Sequence, residues 1–285
     1  MRTGRLTRFL LPVFLFATGC SQNTPVNGPA GATTELVTRD HLETVVKLAV
    51  AVTNPADRLA VTGSRLDETR DGYEFQPTSL SFPAFHEQFI SWRVPYAVRL
   101  DKTGHVQEVR QMPENRTSVA VREFSKGQNG DGSDWILKGL GAGVRMTVLI
   151  QFKNPVKESK LDLLGPVENA SPVFLSGARR ASDPIYWSGD EGCFNSSLQS
   201  GCAGYSSVAQ FRSWVSQLRP EDDVTLSGFG LSVAELRQVA AAGLIYGTIV
   251  DGGSPAVIRE LKKHPNVSGM WIVDMRPCPP EDECP

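Results

Sequence analysis

The chain has 285 residues, and its 29 lysines and arginines against 31 aspartates and glutamates give a formal net charge of −2. The sequence has no basic stripe, which argues against nucleic acid as a partner and against electrostatic binding to membranes. The length exceeds the common domain size of about 100–150 residues, so two modest domains are expected.

The first 20 residues have the organisation of an export signal. Three arginines within residues 1–8 precede the apolar run 9–17, which is too short for a membrane-spanning helix because spanning takes about 20 residues. Ala17-Thr18-Gly19-Cys20 follows and resembles the bacterial lipobox, with Ala17 in place of the commoner Leu. The resemblance implies a signal peptide over residues 1–19, cleavage before Cys20 and a lipid on its thiol. An ordinary signal peptide that contains a cysteine is the alternative.

The segment after Cys20 is rich in Asn, Thr, Pro, Gly and Ala, and Val26 is its one bulky apolar residue before Thr34. Such a composition buries too little surface to offset its ordering entropy, so residues 20–37 are predicted to be a lipidated flexible tether. Removal of residues 1–19 takes away three arginines, which leaves 26 basic and 31 acidic side chains and a net charge of −5.

Residues 38–138 are predicted to be a helix followed by a β-meander. Apolar residues spaced three and four apart predict a helix that Asp40 caps and that Asn54-Pro55 ends. The apolar period then changes to two. Residues 96–100 and 105–110 are predicted to form a hairpin around a turn at Asp101–Gly104, and residues 117–124 a third strand.

Residues 139–285 are predicted to be a ferredoxin-like α+β domain with insertions. Strands are expected at residues 146–152 and 172–176, with a helix at 155–164 between them. Helices capped by Ser207, Ser232 and Ser254 follow, and strands at 244–250 and 267–273 flank the last of these helices. This order predicts a split βαβ unit that occurs twice, and the whole chain is therefore expected to be α+β with a mostly-β N-terminal region.

Residues 247–267, GTIVDGGSPAVIRELKKHPNV, carry a resemblance to two families. They resemble the final βαβ of the extracytoplasmic domains of membrane sigma-factor regulators. They are equally similar to the ferredoxin-like propeptide inhibitors of subtilases, in which a Leu–basic–x–His-Pro-x-Val step leads into the last strand. The matching residues are packing and turn positions, so the resemblance implies a fold and not a function.

Four cysteines remain after Cys20, and an even number in an exported chain favours disulfides with three possible connectivities. Local pairs are favoured, Cys193–Cys202 and Cys278–Cys284, because each pair brackets a Gly- or Pro-rich loop. Zinc is the alternative, but no C-x-x-C occurs and the spacings suit a zinc knuckle poorly.

No catalytic template is complete in this sequence. There is no G-x-S-x-G or S-x-x-K, and His86-Glu87 lacks the second histidine of a zinc protease. Gly139–Gly143 lacks the Gly-Lys-Ser/Thr ending of a phosphate loop and is interpreted as a flexible entry to a strand. Asn129, Asp131, Ser133 and Asp134 could offer oxygens to Ca²⁺, but a solvated hairpin tip is favoured because no Glu occupies the twelfth position. No cofactor and no metal site are therefore predicted, and the histidines are expected in surface or capping roles.

The densest polar and aromatic segment is residues 183–193, in which Tyr186, Trp187, Asp190 and Glu191 could form a recognition loop beside a disulfide. The alternative is that the two aromatic side chains fold back and cover the sheet. The sequence favours a non-enzymatic envelope lipoprotein, held to the membrane by lipid on Cys20, that binds a protein partner or an envelope ligand as a sensor or accessory factor. A protease-inhibitor or propeptide-like module and a hydrolase of unrecognised type are the alternatives.

Overall fold

A computed structural model describes residues 38–54, 57–60, 64–81, 96–110, 114–127, 133–141, 143–164, 170–177, 179, 183–188 and 206–278. The N-terminal part contains helix α1 (Arg39–Thr53) and six short strands. Two of them pair with each other, namely β1 (Asp57–Ala60) and β4 (Thr78–Ser81). The other four form an antiparallel sheet in the order β2-β3-β5-β6: β2 (Leu66–Glu68), β3 (Gly72–Phe75), β5 (Ala97–Asp101) and β6 (Val106–Arg110).

Helix α1 is confirmed, although its N-cap is Thr38 and not Asp40. Its first turns are fixed to β2 by side-chain contacts with one residue. Arg39 Nε donates to the Leu66 carbonyl at 3.1 Å, and Glu43 Oε2 accepts the Leu66 N–H at 3.1 Å. Lys47 Nζ also donates to Glu43 at 2.5 Å. Burial raises the pKa of Glu43, but the hydrogen bonds from Lys47 and Leu66 and the charges of Lys47 and Arg39 outweigh it, so the pKa lies below its ordinary value.

The predicted hairpin of β5 and β6 is confirmed. Asp101 Oδ1 accepts the N–H groups of Thr103 at 2.8 Å and His105 at 3.0 Å. Gly104 has a φ of 84°, which favours glycine at this position. Asp101 and Gly104 therefore fix the turn, as their sequence spacing indicates.

The strand predicted at residues 117–124 is wrong, because this segment is helix α2 (Arg116–Ser125). A capping box starts it: the Asn115 side chain accepts the Ser118 N–H, and Ser118 Oγ accepts the Asn115 N–H, both at 2.8 Å. A second helix that the sequence did not predict follows, α3 (Ser133–Gly139). Asp134 lies in α3, so the expectation of a solvated hairpin tip is wrong for this residue.

The C-terminal part is built on a second antiparallel sheet. Its strands are β7 (Val144–Lys157), β8 (Ala170–Phe174), β9 (Tyr186–Trp187), β10 (Leu244–Gly253) and β11 (Val267–Pro277). They lie in the order β11-β7-β10-β8-β9. Helix α7 (Pro255–Lys263) joins β10 to β11, and β7 lies between these two strands. This arrangement is a split βαβ unit.

The α+β class is confirmed, whereas the ferredoxin-like topology stays a prediction. A helix was predicted at residues 155–164, but its first residues belong to strand β7. This strand continues through Val156 and Lys157, which pair with Ile245 and Leu244. A 3₁₀ helix (Glu158–Leu164) follows instead of an α-helix, and β9 adds a fifth strand.

Between β9 and β10 the described residues contain three α-helices: α4 (Ser207–Gln217), α5 (Asp223–Leu226) and α6 (Val233–Ala242). Ser206, not Ser207, caps α4. Ser232 and Ser254 cap α6 and α7 as predicted, and Gly243 ends α6 with a φ of 56°. Capping side chains accept hydrogen bonds from N–H groups that lack partners within the helix, so these serines define where α4, α6 and α7 begin.

Helices cover both faces of the five-stranded sheet. One face packs against α1, α4, α6 and α7 in the main core, to which α1 contributes Val45, Leu48, Ala49 and Val52. The opposite face packs against α2 through Ala120, Val121 and Phe124. Helix α1 also packs on the four-stranded sheet with its other side, through Leu42, Val46 and Val50. Val37–Pro285 form one compact unit, and the boundary expected at residues 138 and 139 stays a prediction.

Strand β11 is at the edge of its sheet but is apolar on both sides. Trp271 and Val273 pack toward α2, and Met270 and Ile272 pack into the main core. Val267 joins Met270 and not Trp271, because a register shift interrupts the alternation between Val267 and Gly269. Helix α2 covers the face of this strand that carries Trp271 and Val273, and Trp271 Nε1 donates to Glu123 at 2.5 Å.

Candidate functional site

The two aromatic residues of the predicted recognition loop are part of the core. Tyr186 is 2% exposed and Trp187 is fully buried. The Tyr186 hydroxyl donates to the Asn54 carbonyl at 2.9 Å, and Trp187 Nε1 donates to Gln210 at 3.4 Å. Both side chains therefore belong to strand β9 and to the core, and neither is presented at the surface as a recognition loop would present it. Asp190 and Glu191 lie outside the described residues.

Trp187 belongs to an aromatic cluster between the sheet edge and α4. Its ring is stacked on Trp214, with centroids 5.7 Å apart, and meets Phe211 edge-on at 5.5 Å. Within the described ranges, Trp214 Nε1 is the one buried side-chain polar atom without a hydrogen-bond partner. This much buried aromatic surface stabilises the fold and leaves no ring available to a partner.

Of the four cysteines predicted to form disulfides, the structure describes one. Cys278 is disulfide-bonded and follows directly after β11, where its N–H donates to the Gly143 carbonyl at 3.0 Å. Cys193, Cys202 and Cys284 lie outside the described residues, as does Cys20. The two local pairings therefore stay predictions.

An imidazole–carboxylate pair joins α1 to the segment before α5. His41 Nε2 lies 2.9 and 3.1 Å from the two carboxylate oxygens of Asp222, which is buried. Asp222 Oδ2 also accepts the Arg219 N–H at 2.8 Å. Nucleophilic catalysis would need a hydroxyl or thiol on the imidazole, and no such group in the described part of the chain is hydrogen-bonded to His41. The pair thus acts as a tie between two elements, which the sequence did not indicate.

A second polar cluster lies at one end of the five-stranded sheet. Thr147 Oγ1 donates to Asp251 at 2.6 Å, and Arg276 Nη2 is 4.0 Å from the same carboxylate oxygen. Arg276 is paired in register with Arg145 on β7. Burial lowers the pKa of Arg276, and Arg145 acts in the same direction, whereas Asp251 and Asp274 oppose both. Two guanidinium groups and two carboxylates balance here, so this cluster presents no net charge to a ligand.

Metal binding and membrane spanning find no support in the described residues. No group of three or more His, Cys, Asp or Glu side chains among them is placed to hold a metal ion. None of the helices in these ranges combines the length and the apolar composition that crossing a bilayer requires.

The candidate functional site is an exposed surface on α3 and α7, here called the α3–α7 surface. It comprises Asp134, Trp135, Lys138, Arg259, Glu260, Lys262 and Lys263. Trp135 is 75% exposed, whereas the other large hydrophobic residues at the described surface are 38–41% exposed. A monomeric protein rarely leaves a tryptophan so open without a partner, because this residue has the largest apolar side chain.

Three contacts hold α3 firmly against α7. Arg259 Nε and Nη2 donate to the carbonyls of Leu137 and Leu140 at 3.2 and 2.8 Å, near the C-terminal end of α3. Lys262 Nζ donates to Asp134 at 2.5 Å. Leu137 is buried in the main core. Trp135 therefore projects from a fixed base, and its exposure is not the result of a loosely attached helix.

The charge of the α3–α7 surface differs from that of the whole chain. Its four basic and two acidic residues give it a formal charge of +2, whereas the full chain has −2. An exposed tryptophan on a surface of positive formal charge suits an anionic or interfacial partner. No sequence pattern indicates this site, since exposure of a single aromatic residue depends on packing that no local pattern records.

The chain was compared with protein-family models, with curated proteins and with solved structures, and none of the three comparisons finds a match.

Proposed function

We propose that this chain is a lipid-anchored protein of a bacterial envelope that has a binding function and not a catalytic one. The observation that carries the anchoring is the lipobox-like sequence Ala17–Cys20 after a positively charged, short apolar segment. A disulfide at Cys278 supports export, because disulfides persist in oxidising compartments.

A binding role fits the distribution of polar groups. The titratable clusters at His41–Asp222 and at Arg276–Asp251 are each compensated by their own hydrogen bonds and charges. Trp135, in contrast, is a large side chain presented on a fixed base. Exposed tryptophans of this kind commonly supply much of the binding energy of an interface.

Metabolic labelling with a fatty acid tests the anchoring. The full-length chain in a bacterial host should incorporate the label and fractionate with membranes. Cys20→Ala should lose both the label and the membrane retention, because the thiol that carries the lipid is absent. Ser21→Ala, the neighbouring substitution that keeps this thiol, is the matched control and should behave like the wild type. Labelled, membrane-bound Cys20→Ala protein would refute the proposal.

A further inference from the structure

We infer that the α3–α7 surface docks on the anionic lipid surface of the membrane to which the chain is anchored, with Trp135 at the level of the lipid headgroups. The inference rests on the proposed function, because only an anchored chain keeps α3 near a bilayer. Tryptophan is well suited to this depth, since its ring is largely apolar while its N–H stays hydrated.

Charge complementarity selects a lipid surface over a protein as the partner. The mature chain has a formal charge of −5, so most of its surface is repelled by anionic lipids. The α3–α7 surface has +2, and both Lys138 and Lys263 are exposed on it, the latter 2.7 Å from Glu260. Each basic side chain near an anionic bilayer strengthens binding about fivefold at moderate salt.

The length of the predicted tether, residues 20–37, allows the α3–α7 surface to face the bilayer. The 18 residues from Cys20 to Val37 span at most about 60 Å when fully extended. A compact unit of the size of Val37–Pro285 has a diameter of about 45 Å by the usual scaling with chain length. The extended link is longer than the unit is wide, so the surface chemistry decides which side faces the bilayer.

Anchoring also makes a weak contact sufficient. Lipid on Cys20 would confine the protein to the membrane, so docking becomes an intramolecular step at an effective concentration on the order of millimolar. A second, weaker membrane signal next to a covalent lipid is a common combination in peripheral proteins. One exposed tryptophan and the net positive charge of the α3–α7 surface supply such a signal.

Vesicle binding of the non-acylated mature chain tests the inference. Residues 20–285 with Cys20→Ser are mixed with phosphatidylcholine–phosphatidylglycerol vesicles at a molar ratio of about 7:3, chosen for an anionic surface. Brominated acyl chains serve as the quencher. The protein has five tryptophans, so the spectrum of Trp135→Phe is subtracted to isolate Trp135. The Trp135 emission should shift to shorter wavelength and be quenched, and neutral vesicles should bind less than the anionic ones.

Two substitutions give the expected magnitudes. Trp135→Ala should lower the partition coefficient about tenfold, which corresponds to burial of about 60 Å² of its ring. Lys138→Gln should lower it about fivefold on anionic vesicles and hardly at all on neutral ones. Val224→Ala is the matched control, because Val224 is 41% exposed on α5 and should leave partitioning unchanged. Equal urea midpoints for all variants exclude misfolding as the cause.

Three outcomes would overturn the inference. The first is a Trp135 spectrum that vesicles do not change, and the second is full vesicle binding by Trp135→Ala. The third is shielding of Trp135 that increases with protein concentration in the absence of lipid, which would show that a second copy of the chain covers it. Because the assay uses a chain without acyl groups, it is independent of the labelling experiment, and either proposal can fail alone.

Discussion

Helix α2 was predicted to be a strand, and the contribution of its packing on the sheet to the free energy of unfolding can be measured with one substitution. Phe124 is completely buried between α2 and the five-stranded sheet. Its ring lies 4.8 Å from that of Phe174 and 6.3 Å from that of Trp271, measured between centroids. Phe124→Ala removes these contacts and leaves a cavity against two strands.

We expect Phe124→Ala to lower the free energy of unfolding by about 3–5 kcal/mol, as large-to-small changes of a buried phenylalanine do. In a unit of this length the melting temperature should fall by about 10 °C. Val119 is on the same helix and is 38% exposed, so it provides the matched control. Val119→Ala should change the stability by less than about 0.5 kcal/mol.

Urea unfolding of the mature chain is followed by circular dichroism and by tryptophan fluorescence. Both probes should give one coincident transition, because α1 and α2 pack on opposite faces of the same sheet. A loss of less than about 1 kcal/mol for Phe124→Ala would show that α2 contributes little to the core. Separate transitions for the two probes would show that α2 undocks on its own, and either result would refute the packing described above.

Three further predictions concern other parts of the molecule. Gly247→Ala should destabilise the protein by about 1–3 kcal/mol in thermal melts. The added Cβ would lie 2.4 Å from the Ile150 carbonyl oxygen and 2.8 Å from the Phe124 ring. Gly141 has open space around it, so Gly141→Ala is the control and should be neutral in the same melts. Glu43→Gln should destabilise the protein at pH 7. Since the folded-state pKa of Glu43 is lowered, this difference should shrink once the pH falls below the ordinary glutamate pKa of about 4.3 and should disappear below the lowered pKa of the folded state, in a series of urea titrations. Non-reducing peptide mapping should find Cys193–Cys202 and Cys278–Cys284, and a bridge between Cys193 and Cys278 would contradict the local pairing.

Those helices and strands that local chemistry defines could be predicted from the sequence. The helix after Ser254-Pro255, the cap at Gly243 and the turn at Asp101–Gly104 all depend on residues within a few positions of one another. The Ser206 cap differs from the predicted one by a single position, because adjacent serines offer the same side-chain oxygen.

Helix α2 could not be predicted because its sequence fits two periods. Val119 and Val121 alternate as in a strand, whereas Thr117, Ala120, Val121 and Phe124 are spaced as on a helix face. The β-branched residues favour a strand. The capping box of Asn115 and Ser118 and the sheet that receives Phe124 favour the helix, and the second of these is a tertiary effect.

The candidate site was beyond prediction for a related reason. The sequence draws attention to Tyr186 and Trp187 because they lie among acids and glycines, yet pairing with β8 places both in the core. Trp135 lies among ordinary helix-forming residues, and its exposure results from how Arg259 and Lys262 hold α3. Burial is a property of the assembled fold, so similar aromatic residues can have opposite roles.

Helix α1 packs on the five-stranded sheet with one side and on the four-stranded sheet with the other, and this affects when the chain can fold. In a chain exported N-terminus first, as we propose, α1 leaves the membrane long before the elements it packs against, which include β9 and α5. Strand β7 also cannot pair until both neighbouring strands have been exported, since β10 and β11 lie about 100 residues further along the chain. Such a high contact order makes folding slow and leaves apolar faces open to aggregation. The native topology can close only when residue 277 has crossed, so folding should be largely post-translocational and dependent on envelope chaperones.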